Sequence, residues 1–321
     1  MAALKNNKKW FFVIEAAVVA IVLVLAVLFI WAKNGEKTYK ISIIVRDSDS
    51  RQWSAFKYGL KKAAEDCEVE MSVASTGESL TAEEIMQTVD SEMENGADAL
   101  LIQPVGDFDQ QMIKKIQKKA PVMLVDTTVE RTGAPCTQPD HYAVGKSLAK
   151  ALLEDYNGNI KKKTFGIVQT NHSEAVKKRK QGFLDALDSS IQRHGAKISW
   201  SASLAQGMSL KDQGRVDFII ALDDRSLVAA GEDARGNNLH GALVYGIGNS
   251  TDAVYYLDTG IVQCLVATDG FYMGYAGLTQ AARCLSRPFY EMRDTSVGHS
   301  VIRKEELFSK KNQELLFTMS Q

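Results

Sequence analysis

The sequence predicts an α/β protein built as two doubly wound parallel-sheet lobes, preceded by one N-terminal helix long enough to span a membrane. Three observations predict it. Short aliphatic runs such as Ile41-Ser42-Ile43-Ile44-Val45 recur along the chain, each followed by a polar turn and an amphipathic stretch. The rhythm lapses once, from Arg131 to Pro139, and then restarts, which divides it into two sections. An almost unbroken apolar run precedes the first strand.

That run is Phe11 to Ala32, with Glu15 its only charge. About 22 residues make a helix of roughly 33 Å, enough to cross a hydrocarbon core. Trp10 and Trp31 bracket it at interface positions, and Lys5, Lys8 and Lys9 lead into it. The run ends Leu28-Phe29-Ile30-Trp31-Ala32-Lys33, a poor cleavage site, so an uncleaved anchor with a cytoplasmic N-terminus is expected. Residues 1–37 are thus read as leader, anchor and linker, and the protein as a single-pass protein of the cell membrane with its remaining domains extracytoplasmic.

The first strand ends in the turn Arg46-Asp47-Ser48-Asp49-Ser50-Arg51, and Gln52 to Asp66 reads as a helix with Phe56, Leu60, Ala63 and Ala64 on one face. Val69–Ala74 is a strand and Thr81–Asn95 a helix, opened by a Thr81/Glu84 capping box and stopped by Gly96. Ala99–Ile102 is a strand closed by Gln103-Pro104; Asp107–Lys119 is a helix; Val122–Val125 is a strand ending at Asp126. Right-handed crossovers make this a parallel sheet with helices on both faces.

The stretch from Arg131 to Pro139 reads as a connection between lobes. Beyond it, helices are expected over Tyr142–Asp155, Glu174–Leu187, Ser226–Ala234, Thr251–Leu257 and Phe271–Leu285. Strands are expected over Thr164–Val168, Ile198–Ala202, Phe218–Leu222, Leu243–Ile247 and Cys264–Ala267, and the tail from Val301 is polar and partly helical. The lobes are assigned as 38–139 plus 269–297, and 140–268 plus 298–321.

A net charge of −1 provides no field to draw nucleic acid, which is not expected as a partner. GxGxxG after a strand, GxxxxGK[ST], HExxH and GxSxG are all missing, so no nucleotide cofactor, zinc hydrolase or serine hydrolase is predicted. Asp47-Ser48-Asp49 lacks the glycine and closing glutamate of a calcium loop, and no metal is expected. Cys67, Cys136, Cys264 and Cys284 are far apart and read as small hydrophobes. No nucleophile with an acid–base pair is evident, and an enzyme is not expected; Asp223-Asp224 reads as one ligand acceptor and one helix cap.

Open α/β sheets bind ligands at the carboxyl ends of their strands. The groups there are Arg46, Asp47, Ser50 and Trp53 after the first strand, Gln103 after the third and Asp126 after the fourth. Asp223, Asn249 and Thr268 stand at strand ends in the second section. Carboxylates and amides suit hydroxyl groups, and Trp53 offers a flat face for the apolar side of a sugar ring.

From about Lys40 to Glu306 the chain resembles the periplasmic sugar-binding proteins of the ribose-binding type, related to the ligand-binding part of lac-repressor-like regulators. The resemblance rests on Trp53-Ser54-Ala55-Phe56-Lys57-Tyr58-Gly59, Ala97-Asp98-Ala99-Leu100-Leu101-Ile102-Gln103-Pro104, Pro121-Val122-Met123-Leu124-Val125-Asp126, Arg179-Lys180-Gln181-Gly182-Phe183, Val216 to Asp224 and Tyr272-Met273-Gly274. It implies the type 1 periplasmic binding protein fold. It implies a hinge of three crossings, near Pro139, Thr268 and Gly298, about which the lobes close on ligand. It also implies ligand contacts from Asp126 and Arg179. Thr127 stands where ribose binders have Arg, Asp223 where they have Asn, and Asn249 and Thr268 lie where other polar groups are usual, so the resemblance points away from ribose itself. The section Ser203–Arg215 is short for the helix expected there. The expected function is capture of a small polar ligand, a sugar or sugar-like polyol, for an ABC transporter permease. The alternatives are a ligand-sensing subunit for a membrane histidine kinase and an α/β enzyme acting on a sugar.

Overall fold

The computed structural model describes residues 10, 15–26, 38–77, 80–129, 131–204 and 209–317. The chain divides into two compact units, Met1–Thr38 and Tyr39–Gln321. In the first, residues 15–26 are helical with exposed side chains. Residues 11–14 and 27–32 of the expected membrane span lie outside the described residues, and among the described residues no helix is long and apolar enough to cross a membrane.

The second unit holds two six-stranded sheets. The first contains β1 (Lys40–Ile44), β2 (Glu70–Val73), β3 (Ala99–Ile102), β4 (Val122–Val125), β5 (Cys136–Pro139) and β11 (Thr295–Val297), in the order β2-β1-β3-β4-β5-β11, all parallel. The second contains β6 (Thr164–Gln169), β7 (Lys197–Ser203), β8 (Phe218–Ala221), β9 (Leu243–Ile247), β10 (Val262–Thr268) and β12 (His299–Ile302). Its order is β7-β6-β8-β9-β10-β12, parallel except for β12, which pairs antiparallel at the edge.

Central strands are buried on both faces, and their period-2 side chains feed two separate cores. Ile41, Ile43, Ala99, Leu101, Met123 and Val125 pack in one core, while Ile44, Leu100, Ile102, Val122 and Leu124 pack in the other. The second sheet repeats this with Phe165, Ile167, Phe218 and Ile220 on one side and Val168, Ile219, Ala221 and Val244 on the other. Helices cover both faces, as a doubly wound fold requires.

Each lobe carries one closely packed helix pair, built on the same device. In the first lobe α1 (Ser54–Cys67) meets α8 (Gly270–Ser286); in the second α4 (His141–Asp155) meets α5 (Glu174–His194). A Cβ on Gly59 would overlap the Phe271 carbonyl, and one on Gly274 the Phe56 carbonyl. Likewise, a Cβ on Gly145 would overlap the Arg179 carbonyl, and one on Gly182 the Tyr142 carbonyl. Reciprocal glycines three residues beyond their partners' contact points therefore let both pairs approach backbone to backbone.

Three short elements depart from the sequence reading. The connection expected over 131–139 contains β5, a buried strand whose flanking Pro135 and four-residue length conceal its period. The polar segments around Gly298 form β11 and β12, edge strands of three and four residues. Between β7 and β8, where the section Ser203–Arg215 is short for a helix, the described residues 209–217 form none, in agreement with the sequence reading. The capping box at α2 (Ala82–Glu94) is present, with Thr81 Oγ1 accepting from Glu84 N and the Glu84 carboxylate accepting from Thr81 N at 2.8 Å. All four cysteines are free, Cys136 and Cys264 buried.

The chain passes between the sheets three times: from Pro139 to α4, from Thr268 to α8, and from Val297 to His299. The first two passages enter capped helices at once. Asp140 accepts from Ala143 N, and Asp269 from Tyr272 N. Asp269 N also donates to Gly298 O at 3.0 Å, tying the second passage to the third.

Candidate functional site

A cavity of about 240 Å3 lies between the two sheets at the carboxyl ends of their strands. Pockets for drug-sized ligands run about 300–1,000 Å3, so this one suits a molecule of monosaccharide size. Of the residues expected at the site, Arg46, Trp53, Gln103, Asp126, Thr127, Arg179, Asp223, Asn249 and Thr268 line it.

Asp47 and Ser50 do not, which corrects the sequence reading. Asp47 takes the left-handed conformation (φ 52°) and donates its N–H to Gly77 O at 3.0 Å; Ser50 N donates back to Asp47 O at 2.9 Å. Ser48, buried between them, exchanges bonds with Thr76 at 3.2 and 3.1 Å. The turn is thus folded onto the loop after β2 and away from the cavity.

One hydrogen-bonded network joins the lobes. Arg46, leaving β1, donates its backbone N–H to Gln103 Oε1 at 3.1 Å and accepts Trp53 Nε1–H on its carbonyl at 2.9 Å. Gln103 Nε2 donates to Asp126 Oδ2 at 3.0 Å. Asp126 follows β4 with φ 64°, a strained backbone that Asp and Asn tolerate better than most residues. Its Oδ1 lies 3.8 Å from Arg179 Nη2, which comes from α5 of the other lobe. Arg179 is 9% exposed and also donates to Leu222 O and to His141 Nδ1, each at 3.1 Å.

His141 is a site residue the sequence did not reveal. It opens α4 just after the first passage and donates from Nε2 to the Asp126 carbonyl while its Nδ1 accepts from Arg179. Both roles require the neutral Nε2–H tautomer. Burial, aided by the Arg179 charge, pushes the imidazole down from 6.5 to about 4. Protonation would remove the acceptor that Arg179 uses. Because the folded value lies below the unfolded one, this group's contribution is complete above about pH 6.5. It is lost progressively as pH falls toward about 4. We expect urea unfolding followed across that window to show a steeper loss of stability in the wild type than in His141→Gln, which cannot titrate.

The paired acids Asp223 and Asp224 have distinct work. Asp223 caps α6 (Asp224–Arg235): its Oδ1 accepts from Ser226 N at 2.9 Å and Thr170 Oγ1 at 2.9 Å, its Oδ2 from Thr170 N at 2.7 Å. It is buried and still borders the cavity. Asp224 Oδ1 accepts backbone N–H from Asn249 and Ser250, both at 2.8 Å, at the start of α7 (Thr251–Asp258). Burial pushes its carboxyl up, against the pull of those bonds. Asp224, Gln52, Phe56 and residues 171–173, which follow β6, also border the cavity. Trp53, 5% exposed, stands edge-on to Phe56 with centroids 5.3 Å apart and shares the core with it. At the rim, Arg51 of the first lobe meets Asp252 of the second at 2.9 Å. The two side chains are 68% and 49% exposed, so the pair contributes little.

Two facing doubly wound lobes with a polar cavity between them define a class of proteins that enclose small ligands. Residues 41–287 match the family described as periplasmic binding protein domain, and the chain belongs to that family. Among solved structures, the fold is similar to GanP, a glucose-galactose binding protein from Geobacillus stearothermophilus (19% identity, 85% of this chain and 100% of that one, TM-score 0.73). It is similar also to a carbohydrate transporter solute-binding protein from Agrobacterium radiobacter in complex with D-arabinose (18%, 88% and 100%, TM-score 0.75). A third similar structure is the XylFII–LytSN complex (16%, 84% and 99%, TM-score 0.71). A comparison with curated protein sequences finds no match.

Proposed function

We propose that the protein is a membrane-tethered, extracytoplasmic solute-binding protein, not an enzyme, that captures a small polar ligand of sugar or polyol type. The apolar run 11–32 is the tether. Lobes 38–139 plus 269–297 and 140–268 plus 298–321 close about the three passages, and the closed form is presented to an ABC transporter permease. The observation that carries this reading is the meeting of Asp126 from one lobe and Arg179 from the other at a cavity of monosaccharide size. Closure removes water from polar groups already held in place, so ligand stabilises the closed form by its preference for it. A second reading has a membrane sensor kinase as the partner. It is favoured by the solved XylFII–LytSN complex, in which a protein of this fold is bound to a second protein.

The test is a thermal-shift screen of pentoses, hexoses, their acids and polyols on the full chain in mild detergent. Ligand at a hundred times its Kd adds about 2.7 kcal/mol to stability. A clear rise in Tm with at least one saccharide is expected. Silence across the panel, together with stabilisation by amino acids or nucleosides, would replace the ligand class.

A further inference from the structure

We propose that the ligand carries an anionic group, a carboxylate or phosphate on a sugar-sized frame, and that the Arg46 guanidinium holds it. The proposal rests on the solute-binding reading above and refines its ligand class.

The argument begins with which charges in the cavity are already engaged. Arg179 is committed to His141, Leu222 O and Asp126. Asp126 is held by Gln103 and faces Arg179. Asp223 accepts three hydrogen bonds and Asp224 two. Arg46 differs. Its guanidinium makes no hydrogen bond or ion pair with any described residue, and its nitrogens remain accessible.

Its backbone, by contrast, is fixed on both sides, by Gln103 at its N–H and by Trp53 at its carbonyl. Two side chains of the cavity thus each use a polar atom to place Arg46. A rigid base with an unclaimed head is a preorganised cation. When the lobes close, that cation loses water, and neutral hydroxyls would compensate only in part. A carboxylate or phosphate would meet the planar guanidinium with two charge-assisted bonds. Of the three acids, Asp126 is balanced by Arg179, and Asp223 and Asp224 are tied to donors of the second lobe.

The test is calorimetry on the full chain with matched pairs: a hexose, its uronic acid and its 6-phosphate, at low and at 0.5 M salt. At low salt one of the two anionic forms is expected to bind at least tenfold more tightly than the neutral sugar. Which of them does so separates carboxylate from phosphate. High salt should erode that advantage and leave the neutral sugar's affinity nearly constant. In Arg46→Met the ratio of anionic to neutral affinity should fall toward one, with partial recovery in Arg46→Lys. Neutral sugars binding as tightly as both anions, or an anion advantage indifferent to salt and to Arg46→Met, would overturn the proposal while leaving the solute-binding reading intact. No binding by any saccharide, neutral or charged, would remove that reading and the proposal with it. The salt series on the wild type stands even if a variant folds poorly.

Discussion

Arg179→Met is expected to lower ligand affinity more than tenfold and to cost about 2–5 kcal/mol of stability. The substitution keeps the length of the side chain but leaves Leu222 O and His141 Nδ1 without their donor and the Asp126 carboxylate without its facing charge. Each stranded buried polar group costs about 1–3 kcal/mol, and breaking a buried pair by removing one partner is costly for the same reason. Arg179→Lys should restore little, because an ammonium cannot serve a carbonyl, an imidazole and a carboxylate in one plane. Urea unfolding and calorimetry with whichever saccharide the screen identifies check both numbers. A full recovery by Lys would show that charge alone, and not the fork of donors, matters at this position.

Gly145→Ala is expected to destabilise the protein by about 1–3 kcal/mol and to weaken binding, although Gly145 is not among the residues that border the cavity. The added Cβ would overlap the carbonyl of Arg179 itself. Helices α4 and α5 must then separate, and the separation displaces the backbone that carries the guanidinium. Overpacking of this kind costs about 1–3 kcal/mol. Gly59→Ala is the control: it meets the Phe271 carbonyl in the other lobe's helix pair and should cost similar stability. The Tm of both variants and the Kd of each provide the check. Equal loss of affinity in the two would mean that binding simply follows global stability.

Much of the fold was legible because the central strands are buried on both faces and read as short, largely apolar runs. Ile41 to Val45 and Phe218 to Leu222 are examples. The short edge pieces were not. β5 is four residues flanked by Pro135 and ending in Pro139, and β11 and β12 depend on neighbours far away in the chain. At the site, strand-end position led to Gln103, Asp126, Asp223, Asn249 and Thr268, which the structure gathers around one cavity. The same rule failed for Asp47 and Ser50, because a positive φ and bonds to the loop at Thr76 and Gly77 decide where that turn goes. His141 gave no local signal: a lone histidine at a helix start becomes informative only when Arg179, 38 positions later, is folded against it. Nor could composition reveal that Trp53 Nε1 and Gln103 Oε1 bond to the backbone of Arg46.

The left-handed backbone of Asp126 also limits how this pocket could be altered by descent or by engineering. Only glycine, asparagine and aspartate occupy that bend at small cost. Few single replacements therefore preserve the shape here. Asparagine keeps the outline and discards the charge, and glycine discards the side chain altogether. Any drift toward a new solute would have to run through one of those two doors, or leave this position alone and rewrite its neighbours.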